Sequence, residues 1–233
     1  MQLQRTAILR IELILLPFAL EILMNTKDQL IAEIEEYMHH IIWAHDCFDA
    51  YMSILDCGKE YYDEICLSNT FFTITRYSLI SSLLMELTKL FDQREQTGIP
   101  KLIDHIKSSV DVLPKTECFV MWEDSKVVDN VGEMLRLAEE TLIELQPVID
   151  ILRTRRDKYY AHNDKKYFSP DAKLSEELPI TQENVEKLLS FASGVCNGAL
   201  GVIADYHIHS RHLDTDDLQK IVLCAHKWNN RDK

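Results

Sequence analysis

Arg156 and His162 stand six positions apart in the stretch RTRRDKYYAHNDKK, Arg153 to Lys166, the one place where an acidic chain of 233 residues turns locally basic. An arginine is permanently charged and can grip a phosphate with two parallel hydrogen bonds, so it can stabilise charge that builds on phosphate oxygens. A histidine titrates near neutral pH, and the negative end of a helix dipole favours its cationic form. Asn163 and Asp164 favour a turn directly after His162, which puts that histidine at a helix end. The pair supplies an anion stabiliser and a proton carrier without a metal. That is sufficient for attack of an RNA 2′-hydroxyl on its neighbouring phosphate. A charged helix end with a buried ion pair uses the same residues, so the elements that position them decide between the two readings.

The positioning element is a long helix. Val128, Val131, Leu135, Ala138, Leu142, Leu145, Ile149 and Leu152 recur at steps of three and four, and the phase survives Pro147, which predicts a kink without loss of the buried face. Arg153 and Arg155 fall off this stripe, whereas Arg156 and Tyr159 continue it. The guanidinium of Arg156 is therefore predicted to point inward, where it needs an anionic or hydrogen-bonding partner. An ideal α-helix puts His162 about 120° around from Arg156. A last turn tightened to roughly three residues brings both onto one face.

Two earlier helices show the same period. One carries Leu30, Ile34, Tyr37, Ile41, Ala44, Phe48, Tyr51 and Leu55 and is closed by Gly58; the other runs from Tyr61 to Phe91 with Phe72, Leu79, Leu83, Leu87 and Leu90 as its stripe. Arg76 lies within that second stripe, and its helical phase assigns it to the cleft. IPKLIDHIKSSV predicts a short helix, followed by an irregular connection around Pro114, and NDKKYFSPDAKLSEELPI reads as a loop. Thr181 caps a last long helix reaching Ile208, whose Gly194, Gly198 and Gly201 permit close approach of another helix. TDDLQKIVLCAHKW adds a short one.

The expected fold is thus an all-α bundle of long antiparallel helices, one domain over residues 24–233, with the kinked long helix carrying the arginine and histidine. With only six glycines and six prolines, the chain is poor in the turn residues that all-β folds require. Residues 1–23 are expected to form a peripheral apolar extension. Asn25 or Thr26 is a candidate N-cap for the helix that follows, and Met24 an alternative start. The apolar run there is too short for a membrane span, which needs about 20 residues.

A formal net charge of −13 gives no general attraction to nucleic acid, so an RNA partner has to be held by the local basic patch. Cys47, Cys57, Cys66, Cys118, Cys196 and Cys224 form no CxxC pair and read as reduced thiols in a cytoplasmic protein. Asp205, His209 and His212 share a face if the helix persists that far, but no fourth ligand accompanies them. No metal and no cofactor is expected.

RDKYYAHND, with Arg156, Asp157 and His162, resembles the signature of HEPN domains: an arginine, a polar residue, a short spacer and a histidine. TRYSLISSLLMELTKLFD on the preceding long helix is similar to the AbiU2-type branch, associated with abortive infection against phage, and the resemblance extends over about Asp28 to His209. It implies a helical bundle that dimerises, brings two Arg/His motifs into one cleft and cleaves RNA without metal. Arg156 would stabilise the transition state, His162 would exchange the proton and Asp157 would orient one or both. The position two residues after the histidine, a tyrosine in those HEPN toxins that a partner nucleotidyltransferase modifies, is Asp164 here. The implied partners are RNA, a second copy of the chain and an antitoxin.

Around this centre, Arg153, Arg155, Lys158, Lys165 and Lys166 are candidates for tracking RNA phosphates, or else form a solvated basic face. Tyr159 and Tyr160 are candidates for stacking on splayed bases, or else pack at the dimer seam.

Overall fold

The apolar steps of three and four are realised as helices laid side by side. The first, α1, runs unbroken from Gln2 to Glu60. The computed structural model describes residues 2–93, 97–113, 116–120, 122, 126–157, 177–209 and 216–231, with side chains from residue 27 onward except residue 112. Asn25 and Thr26 lie inside α1 rather than capping it, because residues competent for helix flank them on both sides. Gly58 likewise sits within the last turn and does not close the helix. Leu30, Ile34, Tyr37, Ile41, Ala44 and Phe48 are buried as their spacing requires, after which the buried face moves to Ile54 and Cys57. A 3.5-residue repeat on a 3.6-residue helix drifts by about 20° per heptad, enough over several turns to shift the stripe by one position.

The reversal out of α1 is made by a five-residue helix, α2 (Tyr62–Cys66), and α3 (Asn69–Phe91) then returns along α1. A single helix from Tyr61 to Phe91 was expected; the chain instead breaks at Leu67–Ser68, because α2 turns Glu64 inward, where His226 lies 3.0 Å away. The α1–α3 pair is antiparallel. His40 meets Glu86 at 3.0 Å near one end, while Ile54 and Phe72 line a common groove at the other. The second half of α3 buries Leu83, Leu87, Leu90 and Phe91, whereas its first half leaves Phe71, Ile74 and Tyr77 exposed.

Gly98, at φ 141°, starts the next helix, α4 (Ile99–Ser109), and donates its N–H to the Tyr37 hydroxyl at 2.7 Å. A Cβ here would lie 3.1 Å from the Leu90 carbonyl oxygen, so glycine is required by both conformation and space. The connection expected to be irregular contains a small antiparallel hairpin, β1 (Cys118–Val120) against β2 (Lys126–Val128), with Cys118 opposite Val128. Three-residue strands are too short to show alternation in sequence.

Asn130 caps α5 (Val131–Arg155) by accepting from the Glu133 N–H at 3.1 Å. The helix continues through Pro147 with Leu145, Ile149 and Leu152 all buried. Thr181 and Asn184 form a reciprocal capping box at the start of α6 (Gln182–Ala204). By length and composition α6 could cross a membrane, but most of it is enclosed by the other helices, as the central helix of a bundle is. Its glycines admit the hairpin side rather than only another helix. A Cβ at Gly194 would fall 2.5 Å from the Trp122 ring, and one at Gly198 would fall 2.5 Å from Met134 Sδ of α5 and 3.2 Å from the Phe119 carbonyl oxygen of β1. Asp205, with φ 58°, ends α6 four residues before the expected limit, and the Asn197 side chain then clamps the Ile208 backbone through hydrogen bonds of 2.8 and 3.1 Å. The last helix, α7 (Asp216–Asn229), docks on α1 and α2.

Candidate active site at the ends of α3 and α5

The buried stripe of α5 leads from Leu145, Ile149 and Leu152 into Arg156, and the buried stripe of α3 leads from Leu87, Leu90 and Phe91 into Asp92. Where the two stripes run out together, an arginine meets a carboxylate. Arg156 Nη1 donates to Asp92 Oδ2 at 2.8 Å, with the Asp92 side chain 1% exposed and that of Arg156 18% exposed. The inward guanidinium expected from helical phase therefore exists, and its partner comes from 64 residues away.

Asp92 is the candidate site residue that periodicity did not find. It caps the C-terminus of α3, where the helix dipole disfavours an anion, and it is almost wholly buried. Such a residue needs compensating cations, and the described residues supply two. Besides Arg156, Arg153 Nε lies 3.5 Å from Asp92 Oδ1, within ion-pair range but without hydrogen-bond geometry. An acidic residue directly after a buried helical stripe was the available signal.

Asp157 takes the other edge of Arg156. Nε donates to Asp157 Oδ1 at 2.9 Å and Nη2 lies 2.8 Å from the same oxygen. Partial burial pulls the guanidinium's pKa down, but the hydrogen bonds to Asp157 and Asp92 outweigh it and hold the group above its already high ordinary value. Arg156 is cationic at every pH at which the protein is folded. Residues 156 and 157 extend α5 in a wider, π-type turn, a local geometry often found at functional sites. Through Asp157 the turn is of this wider kind, while the Arg156 N–H still reaches the carbonyls of both Leu152 and Arg153.

The flanking arginines have structural partners. Arg153 Nη1 also reaches Asp150 Oδ1 at 3.4 Å, and Arg155 Nε donates to the Leu178 carbonyl at 2.7 Å, tying the end of α5 to the segment before α6. Arg76 is exposed and stands sixteen residues before Asp92, about 24 Å along α3 at 1.5 Å per residue. It lines a groove of about 390 Å³ with Gly58, Lys59, Tyr62 and Phe72. Within one protomer it is not brought to Arg156. Lys158, Tyr159, Tyr160, His162, Lys165 and Lys166 lie outside the described residues.

A larger cavity of about 760 Å³ opens beside the last turn of α3, lined by Glu33, Glu36, Tyr37, His40 and Lys89 among others. Its carboxylates make it a poor site for a polyanion. Among the described residues no group of three or more His, Cys, Asp or Glu is placed to hold a metal ion. The face expected from Asp205 and His209 does not form, because α6 has already ended at Ala204; His212 lies outside the described residues.

The chemistry this arrangement supports is anion stabilisation by a fixed, partly accessible guanidinium at a helix end. No curated protein and no solved structure matches the chain. The family model HEPN_AbiU2, described as AbiU2, matches residues 27–221, from the middle of α1 into α7 and across the whole Asp92–Arg156 site. The chain belongs to the HEPN_AbiU2 family, which is associated with abortive infection.

Proposed function

We propose that this protein is a metal-independent endoribonuclease toxin of the abortive-infection type. It acts in the cytoplasm as a homodimer whose two Arg156–His162 pairs meet across one cleft. The observation that carries the reading is Arg156 itself, a partly exposed cation at the end of an apolar seam, held in place by the buried carboxylate of Asp92 in a chain of this family. In the reaction a 2′-hydroxyl attacks the neighbouring phosphate and the P–O5′ bond breaks, leaving a 2′,3′-cyclic phosphate; the hydroxyl proton is taken up and one is returned to the leaving 5′-oxygen through the paired His162 side chains, and Arg156 stabilises the charge that accumulates on the phosphate oxygens. Before substrate arrives, Asp157 orients the guanidinium. The partner is RNA, with its phosphates next to the basic segment from Arg153 to Lys166, and an antitoxin is a further candidate partner. Incubation of the purified protein with RNA in EDTA tests this. Cleavage that is lost in Arg156→Ala and in His162→Ala supports the reading, and cleavage undiminished in both eliminates it.

A second reading, a non-catalytic module that dimerises or docks a partner, is favoured by one observation. Tyr62, Leu67, Phe71, Ile74 and Tyr77 are all exposed along α2 and the first half of α3, an unusual run of large apolar side chains in the open. That reading expects a stable complex in size measurements, no RNA cleavage, and a complex weakened by Ile74→Glu within this run. A monomer that binds no partner removes it.

A further inference from the structure

The two carboxylates that meet Arg156 among the described residues are not equivalent. Asp92 is buried, belongs to another helix and is shared with Arg153. Asp157 is the next residue along the chain, its side chain is 39% exposed, and both of its contacts with Arg156 converge on one oxygen, Oδ1. The Nε–Nη2 edge of a guanidinium is the edge that grips a carboxylate or a phosphate with two parallel hydrogen bonds, one to each of two oxygens. Among the described residues both nitrogens of that edge converge on one Asp157 oxygen, an arrangement that a phosphodiester's two non-bridging oxygens can replace with two parallel bonds. Solvent screens a part-exposed ion pair and keeps it weak, whereas a buried carboxylate shared by two arginines cannot leave without stranding both.

We propose that Asp157 is a displaceable stand-in for the substrate phosphate on the Nε–Nη2 edge of Arg156, while Asp92 is the fixed anchor that holds the Nη1 side of the same guanidinium throughout. The proposal rests on the nucleic-acid reading of the site and adds how the site is kept filled before substrate arrives. Charge favours the exchange. When Asp157 turns out to solvent, the site gains one unit of positive charge, and one phosphodiester removes it again. Asp92 is thereby a positioning residue: it touches no substrate and fixes the direction from which Arg156 presents its Nε–Nη2 edge.

The test uses the full chain and a 2′-O-methylated RNA oligonucleotide, which keeps the phosphodiester but lacks the attacking hydroxyl, so that binding is read without turnover. Asp157→Asn preserves shape and removes the competing charge; it is expected to bind the oligonucleotide about fivefold more tightly than the wild type, the scale of one exposed ion pair. Asp92→Asn is expected to bind more weakly. A readout independent of how either variant folds is the Arg156 Nε–H resonance of the wild-type protein, identified by its loss in Arg156→Lys, which should shift as the oligonucleotide is added. Binding by Asp157→Asn no tighter than wild type, an Arg156 resonance that stays in place on saturation, or no binding by the wild type each overturns the exchange. Cleavage of unmodified RNA is measured in parallel: tighter binding without cleavage sinks the nuclease reading alone, and cleavage without the gain in binding sinks the exchange alone.

Discussion

Replacing Asp92 by Asn removes the contacts with Arg156 and Arg153 together, and the structure sets the size of each. Removing one partner of a buried ion pair costs about 3–5 kcal/mol. Arg156 keeps Asp157, Arg153 keeps Asp150, and both arginines reach solvent in part, which moves the expectation to the lower end. An anion at the C-terminus of α3 is also disfavoured by up to about 1 kcal/mol, which its removal returns. The net loss expected for Asp92→Asn is about 2 kcal/mol. Double-mutant cycles with Arg156→Gln and Arg153→Gln, read by urea unfolding at fixed protein concentration, divide this loss between the two arginines. The 2.8 Å hydrogen bond to Arg156 predicts a coupling of about 1.5–3 kcal/mol. The 3.5 Å contact with Arg153, which has no hydrogen bond, predicts less than about 1 kcal/mol. A coupling to Arg156 within about 0.5 kcal/mol of zero, or a larger one to Arg153, refutes Asp92 as the holder of Arg156.

Gly194→Ala places a Cβ 2.5 Å from a Trp122 ring that is fixed edge-on to Phe191 and hydrogen-bonded to Thr141, so overpacking of about 1–3 kcal/mol should exceed the helix-propensity gain and lower Tm. Cys66 and Cys224 are exposed, whereas burial pushes the Cys47 and Cys118 thiols up to about 11 and the Cys196 thiol higher still; alkylation of the native protein at pH 8 followed by mass spectrometry should mark the first two and spare the other three. Burial alone would raise the pKa of Glu64, but hydrogen bonds from the backbone, His226 and Asn229 outweigh it and hold the carboxyl below its ordinary value. A depressed folded-state pKa stabilises above the unfolded value and is lost as pH falls through the folded one, so the protection of α7 amides against hydrogen exchange should fall on acidification below the ordinary carboxylate range. Glu64→Gln should remove that acid step.

The direction of Arg156 was legible in sequence because it depends only on its own helix: Leu145, Ile149 and Leu152 fix the buried azimuth, and Arg156 lies on it. Asp92 was not, because periodicity within α3 says nothing about which residue of α5 ends at the same level. The same limit explains Arg76, whose phase was read correctly as part of the stripe. Helical phase gives azimuth and not depth, and the first half of α3 extends to where Phe71, Ile74 and Tyr77 stay exposed. The hairpin escaped because three-residue strands carry no usable alternation, although Gly194 and Gly198 signalled that something packs closely against α6. The break at Leu67–Ser68 escaped because it is set by Glu64 meeting His226, more than 160 residues downstream.

The most direct test of the nuclease reading is the product end group. Purified protein incubated with RNA in excess EDTA should leave fragments ending in a 2′,3′-cyclic phosphate, as attack by the neighbouring hydroxyl requires. Arg156→Ala and His162→Ala, shown to be folded by their unfolding transitions, should each leave the RNA intact. Fragments carrying a 3′-hydroxyl, or cyclic-phosphate fragments produced equally well by both variants, would contradict the reading.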